Sequence, residues 1–356
     1  MLHGSQDTHA PAQAGTQGEE RLNKEAIYAA LDLGTNNCRL LIATPQENSG
    51  DDNAFSSPAL RIYDSFSRIV RLGEGVSATG TLSEEAMVRT IAALKVCCKK
   101  LNKYRITKAR FVATEACRRA ANGAEFIARV QEQTGLAIDI ISTEEEARLA
   151  FMGCSSLLKC GVSRAIVFDI GGGSTELMWV DVDAAKRDAS AMPITDWLSV
   201  GFGVMNLADK FGGSNFADMA YGDMVSFLVE RLKPFDEANR ISQAIGSTDS
   251  KVQLLSTSGT VTTLAAIHLD LPRYDRSRID GIKLGIGDLR NTTQKLLKMR
   301  PSERFNHPCI GSDRADFIIS GCAIFDAISS VWPTGEITIA DRGVREGIIL
   351  TLINQK

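Results

Sequence analysis

Residues 165–180 read AIVFDIGGGSTELMWV: an apolar segment that ends on Asp169, a glycine-rich turn and a second apolar segment. The same arrangement occurs earlier, where residues 26–43 read AIYAALDLGTNNCRLLIA, and an offset of 137 residues aligns Asp32 with Asp169. A buried strand, a tight turn and a returning strand form a β-hairpin. Because one such hairpin occurs in each half of the chain, the sequence predicts two related domains.

Helix and strand patterns alternate through the rest of the chain, so the expected class is α/β with mixed sheets. Apolar residues at spacings of three and four predict a helix from Ser83 to Leu101, and Ser83 is its expected N-cap. The other expected strands are 109–113, 137–141, 252–257 and 336–339. The other expected helices are 124–132, one from Glu144, 219–232, 261–268, 315–330 and one from Val344.

Charge and hydropathy exclude two classes of function. The formal net charge of -3 argues against a general nucleic-acid-binding protein, which carries a large basic excess. No stretch reaches the roughly 18 uncharged apolar residues of a membrane span, so a cytoplasmic protein without membrane or nucleic-acid partners is expected. Residues 1–24 hold hardly any large apolar side chains and are expected to be a disordered leader. We expect the first domain at 25–125 and the second at 126–343, with a terminal helix at 344–356 that can pack back on the first.

The turn Gly171–Thr175 is suited to binding phosphate. Its glycines expose backbone N–H groups, and its hydroxyls add further donors. A plain hairpin turn would explain one such motif, but its duplication after a strand that ends in aspartate favours the phosphate interpretation. An aspartate in that position can bind Mg²⁺ directly or through water. A third turn, Ser256–Thr260, precedes a predicted helix and forms either an anion site or an ordinary helix cap.

Two groups of carboxylates follow predicted strands. Glu115 comes directly after one strand, and its alternative role is a salt bridge with Arg118 or Arg119. Three glutamates at 144–146 open a helix, and a capping box that begins at Thr143 would account for them without any catalytic role. On chemistry alone, both interpretations of each group stay open.

Taken together, these motifs resemble the exopolyphosphatase/guanosine pentaphosphate phosphohydrolase family. The resemblance covers about residues 26–353 and implies two actin-like domains, of the ribonuclease H-like fold of sugar kinases, heat-shock chaperones and actin, with the site in the cleft between them. The matching segments, in the order of the family, are ALDLGTNN (30–37), ATEACR (113–118), ISTEEEAR (141–148), DIGGGSTE (169–176) and SGT (258–260).

The resemblance implies a role for each candidate site residue. Glu115 matches a proposed base that activates the attacking water, and Glu144 and Glu146 match acids near the metal and the water. Asp32, Asp169 and Glu144 are the implied Mg²⁺ ligands. The implied phosphate-binding residues are Gly34, Thr35, Asn36, Asn37, Arg39, Gly171, Gly172, Gly173, Ser174, Thr175, Ser258, Gly259, Thr260 and Arg314.

The activity implied by the resemblance is the Mg²⁺-dependent release of terminal orthophosphate from inorganic polyphosphate. Hydrolysis of guanosine pentaphosphate is the alternative, because both activities share these motifs. A kinase of the same fold would need an adenosine-binding motif, and none is evident after Gly259. A non-enzymatic alarmone sensor or a polymerising protein would not need Glu115 together with the acids around Glu144. The resemblance also implies a homodimer and, since no His-Asp motif is present, the short two-domain form.

Overall fold

The computed structural model describes residues 25–46, 55, 57–159, 161–187, 193–212, 218–248 and 251–355, and the predicted leader lies outside them. The strands are β1 (Ile27–Leu33), β2 (Asn37–Gln46), β3 (Ala59–Ile69), β4 (Ile106–Ala113), β5 (Asp139–Ile140), β6 (Arg164–Ile170), β7 (Thr175–Asp181), β8 (Ile194–Val200), β9 (Val252–Ser256), β10 (Lys283–Gly285) and β11 (Glu336–Ile339).

The helices surround these strands. They are α1 (Val76–Thr79), α2 (Glu84–Leu101), α3 (Glu115–Arg119), α4 (Gly123–Thr134), α5 (Thr143–Cys154), α6 (Val182–Arg187), α7 (Val204–Lys210), α8 (Asp218–Asn239), α9 (Ile241–Gly246), α10 (Gly259–His268), α11 (Arg276–Ile279), α12 (Ile286–Lys298), α13 (Pro301–Asn306), α14 (Ser312–Ala315), α15 (Ile318–Val331) and α16 (Val344–Asn354). None of these helices is long and apolar enough to cross a membrane.

The strands form two sheets with the same core order. The first sheet is β3-β2-β1-β4-β5, and the second is β8-β7-β6-β9-β11 with β10 added at its edge. In each sheet the predicted hairpin is antiparallel and its first strand pairs in parallel with the next strand of the order. Asp32 lies opposite Arg39 in one hairpin and Asp169 opposite Glu176 in the other, which is the same register at an offset of 137. The predicted repeat and the α/β class with two mixed sheets are confirmed.

The predicted helix from Ser83 to Leu101 is confirmed as α2, since the Ser83 hydroxyl accepts a hydrogen bond from the N–H of Ala86 at 3.2 Å. The predicted helix at 315–330 is wrong in its first turn, because the chain forms two helices, α14 and α15, that break at residues 316–317. The break matters for the site, because both of its residues lie beside the cleft described below.

Helices α5 and α16 pack between the two sheets in a shared apolar core. Their contact is so close that a Cβ added at Gly347 would lie 1.9 Å from the carbonyl oxygen of Leu149. The domain boundary predicted at residue 125 differs from the division of the chain between the two sheets. Strand β5 pairs with β4, and Phe126, Val130 and Ile138 pack in the core of the first sheet, so residues 126–141 belong with that sheet.

Candidate active site

A cavity of about 120 Å³ lies between the turns of the two hairpins. Strands β1, β4 and β6 all point their carboxyl ends at it, and helices α3, α5, α10 and α16 begin close to it. Sixteen of the predicted site residues line it: Asp32, Gly34, Thr35, Asn36, Asn37, Arg39, Glu115, Glu146, Asp169, Gly171, Gly172, Gly173, Ser174, Gly259, Thr260 and Arg314.

Three predicted site residues do not line this cavity. Glu144 is exposed on the first turn of α5. Thr175 is buried, and its hydroxyl donates to the carbonyl oxygen of Phe202 at 2.8 Å. Ser258 is fully buried and caps α10 by accepting from the N–H of Thr260 at 3.1 Å. The structure therefore gives Thr175 and Ser258 local structural roles and leaves Glu144 without a place in the cavity.

The two hairpin turns are equivalent in detail and face each other. In each, the N–H of the first glycine donates to a carbonyl oxygen three residues on, from Gly34 to Asn37 and from Gly171 to Ser174, at 2.9 Å in both. A Cβ added at Gly172 would lie 3.0 Å from the Cβ of Asn36 across the cleft. Glycine is needed at positions 172 and 173 because residues of the opposite turn occupy the space that a side chain would fill.

Helix α7 fixes the glycine turn from behind, a role that the sequence did not reveal. The N–H groups of Val204 and Met205 donate to the carbonyl oxygens of Gly171 and Gly172 at 3.0 and 2.9 Å. The side-chain amide of Asn206 donates to the carbonyl oxygen of the next glycine, Gly173, at 2.7 Å. With these carbonyl groups held against α7, the N–H groups of Gly172 and Gly173, unlike that of Gly171, can bind an anion in the cavity.

Glu115 and Glu146 are joined by one arginine. The Arg118 guanidinium donates to Glu115 at 2.7 Å and to Glu146 at 3.2 Å, and it also donates to the carbonyl oxygen of Ile141. Glu115 therefore forms the salt bridge that was predicted as its alternative role, and it lines the cavity as well. The capping box predicted from Thr143 is wrong, because Ser142 is the N-cap and Glu146 binds Arg118 instead.

Glu176 is a buried acid that sequence reasoning did not select, although it lies within a quoted motif. Its carboxylate accepts hydrogen bonds from the hydroxyls of Ser174 at 2.6 Å and Ser199 at 3.1 Å, and only 3% of the residue is exposed. Burial raises its pKa to about 7. Burial and the nearby charge of Glu176 also raise the pKa of Glu146. Glu176, which lies behind the glycine turn, can therefore exchange a proton near neutral pH.

Asp32 and Asp169 are the two aspartates of the cavity, and both are half-buried. Burial raises the pKa of both, and the positive charge of Arg39 opposes that shift in each case. Arg345, on α16, adds a second positive charge next to Asp32. Among the described residues, no three His, Cys, Asp or Glu side chains come together as a metal site. Two carboxylates are still sufficient for Mg²⁺, which commonly takes its other ligands from water and substrate phosphate.

One buried oxygen in the cavity lacks a partner. The side-chain oxygen of Asn36 makes no hydrogen bond to the part of the chain that the structure describes, although it is inaccessible to solvent. A buried acceptor of this kind costs free energy unless something binds it. Asn36 lines the cavity together with Asp32 and Asp169, and oxygen donors of these kinds suit a hydrated Mg²⁺ ion.

The buried acids predict that the metal-free protein loses stability as the pH rises. The folded-state pKa of Glu176, about 7, exceeds its ordinary value of 4.5, so the folded protein binds more protons between those values. The free energy of unfolding then falls with rising pH, by up to about 1.4 kcal/mol per pH unit for one such group. In EDTA we expect the melting temperature to fall from about pH 5 to about pH 7, and to fall less in Glu176→Gln. Equal slopes in both proteins would contradict the raised pKa.

Comparison with known proteins identifies the relatives of this chain. The model of the Ppx/GppA phosphatase family matches residues 55–356. The chain belongs to this family. Exopolyphosphatase 2 of Mycobacterium tuberculosis is 28% identical over 334 residues, which cover 91% of this chain and 98% of that protein. A bifunctional 3-dehydroquinate synthase/phosphatase of Fusobacterium nucleatum is 26% identical over 95% of this chain, which spans only 48% of that longer protein.

Solved structures of the Ppx/GppA family share the fold. The Aquifex aeolicus family member has a TM-score of 0.72 and 26% identity, and the match covers 93% of this chain and 99% of that one. An exopolyphosphatase from Cytophaga hutchinsonii has a TM-score of 0.78 and 22% identity over 92% of this chain and 98% of that one, which shows the likeness of fold alone. The predicted fold class and the predicted family are both confirmed.

Proposed function

We propose that this chain is an exopolyphosphatase, which hydrolyses the terminal phosphoanhydride bond of inorganic polyphosphate and releases orthophosphate. The observation that carries the proposal is the cavity itself, where two phosphate-binding turns face each other and Glu115 lies beside them. Membership of the Ppx/GppA phosphatase family supports the reaction class. The name of the Mycobacterium tuberculosis relative supports the substrate.

The cavity can hold a terminal phosphate from three sides. The turns that contain Asn36 and Gly172 offer backbone N–H groups from opposite walls. The N-terminus of α10, at Gly259, adds a helix end that favours negative charge. Arg39 and Arg314 bring positive charge to the same space. These groups would hold the charge that develops on the phosphoryl oxygens as the bond breaks.

Glu115 is the proposed general base. It lines the cavity, and a Cβ added at Gly173 would lie 3.3 Å from its Cγ, so its side chain borders the glycine turn. A carboxylate in that position can accept a proton from a water that attacks a phosphate held by the turn. Arg118 fixes the orientation of this carboxylate through the 2.7 Å contact, and Glu146 shares the same arginine.

Asp32 and Asp169 would hold Mg²⁺, and Asn36 would supply or orient a further oxygen ligand. When bound, the ion supplies positive charge that polarises the phosphoryl group. The protein contributes the two half-buried carboxylates, whose pKa values are raised by burial, so a bound cation would stabilise their charged form.

Metal dependence is a direct test of this assignment. We expect EDTA to abolish phosphate release and excess Mg²⁺ to restore it, because the ion is proposed to supply the charge that polarises the phosphoryl group. The measurement is the initial rate of phosphate release before chelation, after chelation and after Mg²⁺ is returned. Full activity in the chelator would exclude a role for the ion.

Guanosine pentaphosphate is the second candidate substrate. Val204, Phe317 and Ile318 give the cavity an apolar wall, which a nucleoside can contact and a bare phosphate chain cannot. Phosphate release by the purified protein should be compared with long-chain polyphosphate, guanosine pentaphosphate and ATP plus glucose. Preference for polyphosphate supports the proposal, and preference for guanosine pentaphosphate makes the protein an alarmone phosphatase with the same site. No release from any of them would contradict both.

The expected homodimer and cytoplasmic location stay predictions. Light scattering on the purified protein would give the oligomeric state, and cell fractionation would give the location.

A further inference from the structure

Arg71 crosses the cleft outside the cavity. It follows β3 in the first half of the chain, and its backbone is tied to the first phosphate turn, because the N–H groups of Val70 and Arg71 both donate to the carbonyl oxygen of Asn36, at 2.8 and 3.0 Å. Its φ angle is 46°, in the left-handed region that arginine seldom adopts. A strained backbone that is held against a phosphate turn is a common sign of a functional position.

The side chain of Arg71 reaches the opposite wall of the cleft. Its Nη2 lies 3.4 Å from Oδ2 of Asp316, and its guanidinium carbon lies 5.4 Å from the ring centroid of Phe317. Both partners occupy the break between α14 and α15. Phe317 and Arg314 line the cavity, whereas Arg71 and Asp316 do not, so the ion pair lies just outside the cavity.

The contact between Arg71 and Asp316 is weak enough to be exchanged. The two side chains are 32% and 47% exposed, and a single long ion pair at such a surface contributes little to stability. Phosphate is a better partner, because guanidinium can bind two of its oxygens at once. Asp316 also borders a separate cavity of about 300 Å³.

We propose that Arg71 is a substrate-binding residue that holds a phosphate group beyond the terminal ones, after its guanidinium exchanges the carboxylate of Asp316 for phosphate oxygens. The inference rests on the proposed function, since it assumes a phosphoanhydride chain in the cavity. Asp316 competes with the substrate for Arg71 and keeps the guanidinium in place across the cleft when no substrate is bound.

The test is the affinity for long-chain polyphosphate in a Glu115→Gln background, where the chain is not consumed. Arg71→Met should raise the Kd about tenfold, because one charge-assisted contact is lost. Asp316→Asn should lower the Kd about threefold, because the competing carboxylate is gone. If the pair only kept the cleft closed, both changes would break the same contact and would move the Kd in the same direction. That result would overturn the proposal.

The double variant separates binding from simple neutralisation of Asp316. If Arg71 contacts phosphate, Arg71→Met/Asp316→Asn should keep a Kd well above that of Asp316→Asn alone. If Arg71 only neutralises the carboxylate, the double variant should match Asp316→Asn, which would overturn the proposal. Arg129→Met and Glu84→Gln are the matched controls, since they break a bidentate ion pair on α2 and α4 away from the cavity and should leave the Kd unchanged.

Failure of this inference and failure of the proposed function are distinguishable. The proposed function fails if the wild-type protein releases no phosphate from polyphosphate with Mg²⁺. The inference about Arg71 fails if polyphosphate does not bind in the Glu115→Gln background, or if Arg71→Met leaves the Kd unchanged while wild-type turnover is normal.

Discussion

Replacing Glu115 with glutamine is expected to lower turnover of polyphosphate about a hundredfold or more, which is the scale of a lost general base. Glutamine keeps the size of the side chain, and its oxygen can still accept a hydrogen bond from Arg118, which now approaches Glu115 at 2.7 Å. It cannot accept a proton from water. The measurement is the initial rate with saturating substrate and Mg²⁺, accompanied by a thermal melt to show that the fold is intact.

Glu144→Gln is the matched control for this change. It makes the same substitution on an exposed side chain that does not line the cavity, so turnover should stay within about twofold of wild type. Near-normal turnover in Glu115→Gln would remove Glu115 from the role of base and direct attention to the buried acids Glu146 and Glu176. A large loss in Glu144→Gln would restore the role that the family resemblance implies for it.

The duplicated hairpin could be predicted because all of its determinants are local. Strand periodicity, the glycine turn and the terminal aspartate lie within about twenty residues. The offset of 137 residues that aligns Asp32 with Asp169 also aligns the residues that pair with them across the two hairpins. The order of strands in each sheet was not predicted, because the parallel pairing of the next strand with the first strand of the hairpin joins segments that lie far apart in the chain. Local signals that recur at a fixed offset are therefore sufficient for the repeated hairpin and the α/β class.

The misplaced residues depended on packing that no local signal encodes. Glu144 and Glu146 lie two positions apart on α5, and such positions face different sides of a helix. In the folded protein Glu146 contacts Arg118 and lines the cavity, whereas Glu144 is exposed. Similarly, Phe126 and Ile138 look like the start of a new domain along the chain, but they complete the core of the first sheet.

Long sequence separation hid the remaining parts of the site. Asn206 lies 33 positions from the glycine whose carbonyl oxygen it holds, and Arg71 lies 245 positions from Asp316. Neither residue belongs to a motif with a recognisable spacing. Their roles depend on how the two halves of the chain meet, and that geometry appears only once both sheets are packed around α5 and α16.

Replacing Gly203 with alanine is expected to lower kcat/KM about a hundredfold, because Gly203 lies where α7 supports the glycine turn. A Cβ at this position would lie 2.5 Å from the carbonyl oxygen of Gly171 and 2.6 Å from the nitrogen of Gly173. The backbone cannot move aside as a flexible side chain can, so the turn must shift. Its N–H groups would then no longer point at the phosphate. The loss of one such donor typically costs about a hundredfold or more.

Gly201→Ala isolates this effect from the mere loss of a glycine. An added Cβ at Gly201 meets nothing within 4 Å, so kcat/KM and the melting temperature should both stay near wild type. The backbone at Gly203 has a φ of -115°, which alanine adopts freely, so any loss in Gly203→Ala comes from the contact and not from strain in its own backbone. Initial rates and thermal melts of both variants check this. If Gly203→Ala keeps normal kcat/KM, the N–H groups of the turn do not hold the reacting phosphate, and the anion must be held mainly by Arg39, Arg314 and the start of α10.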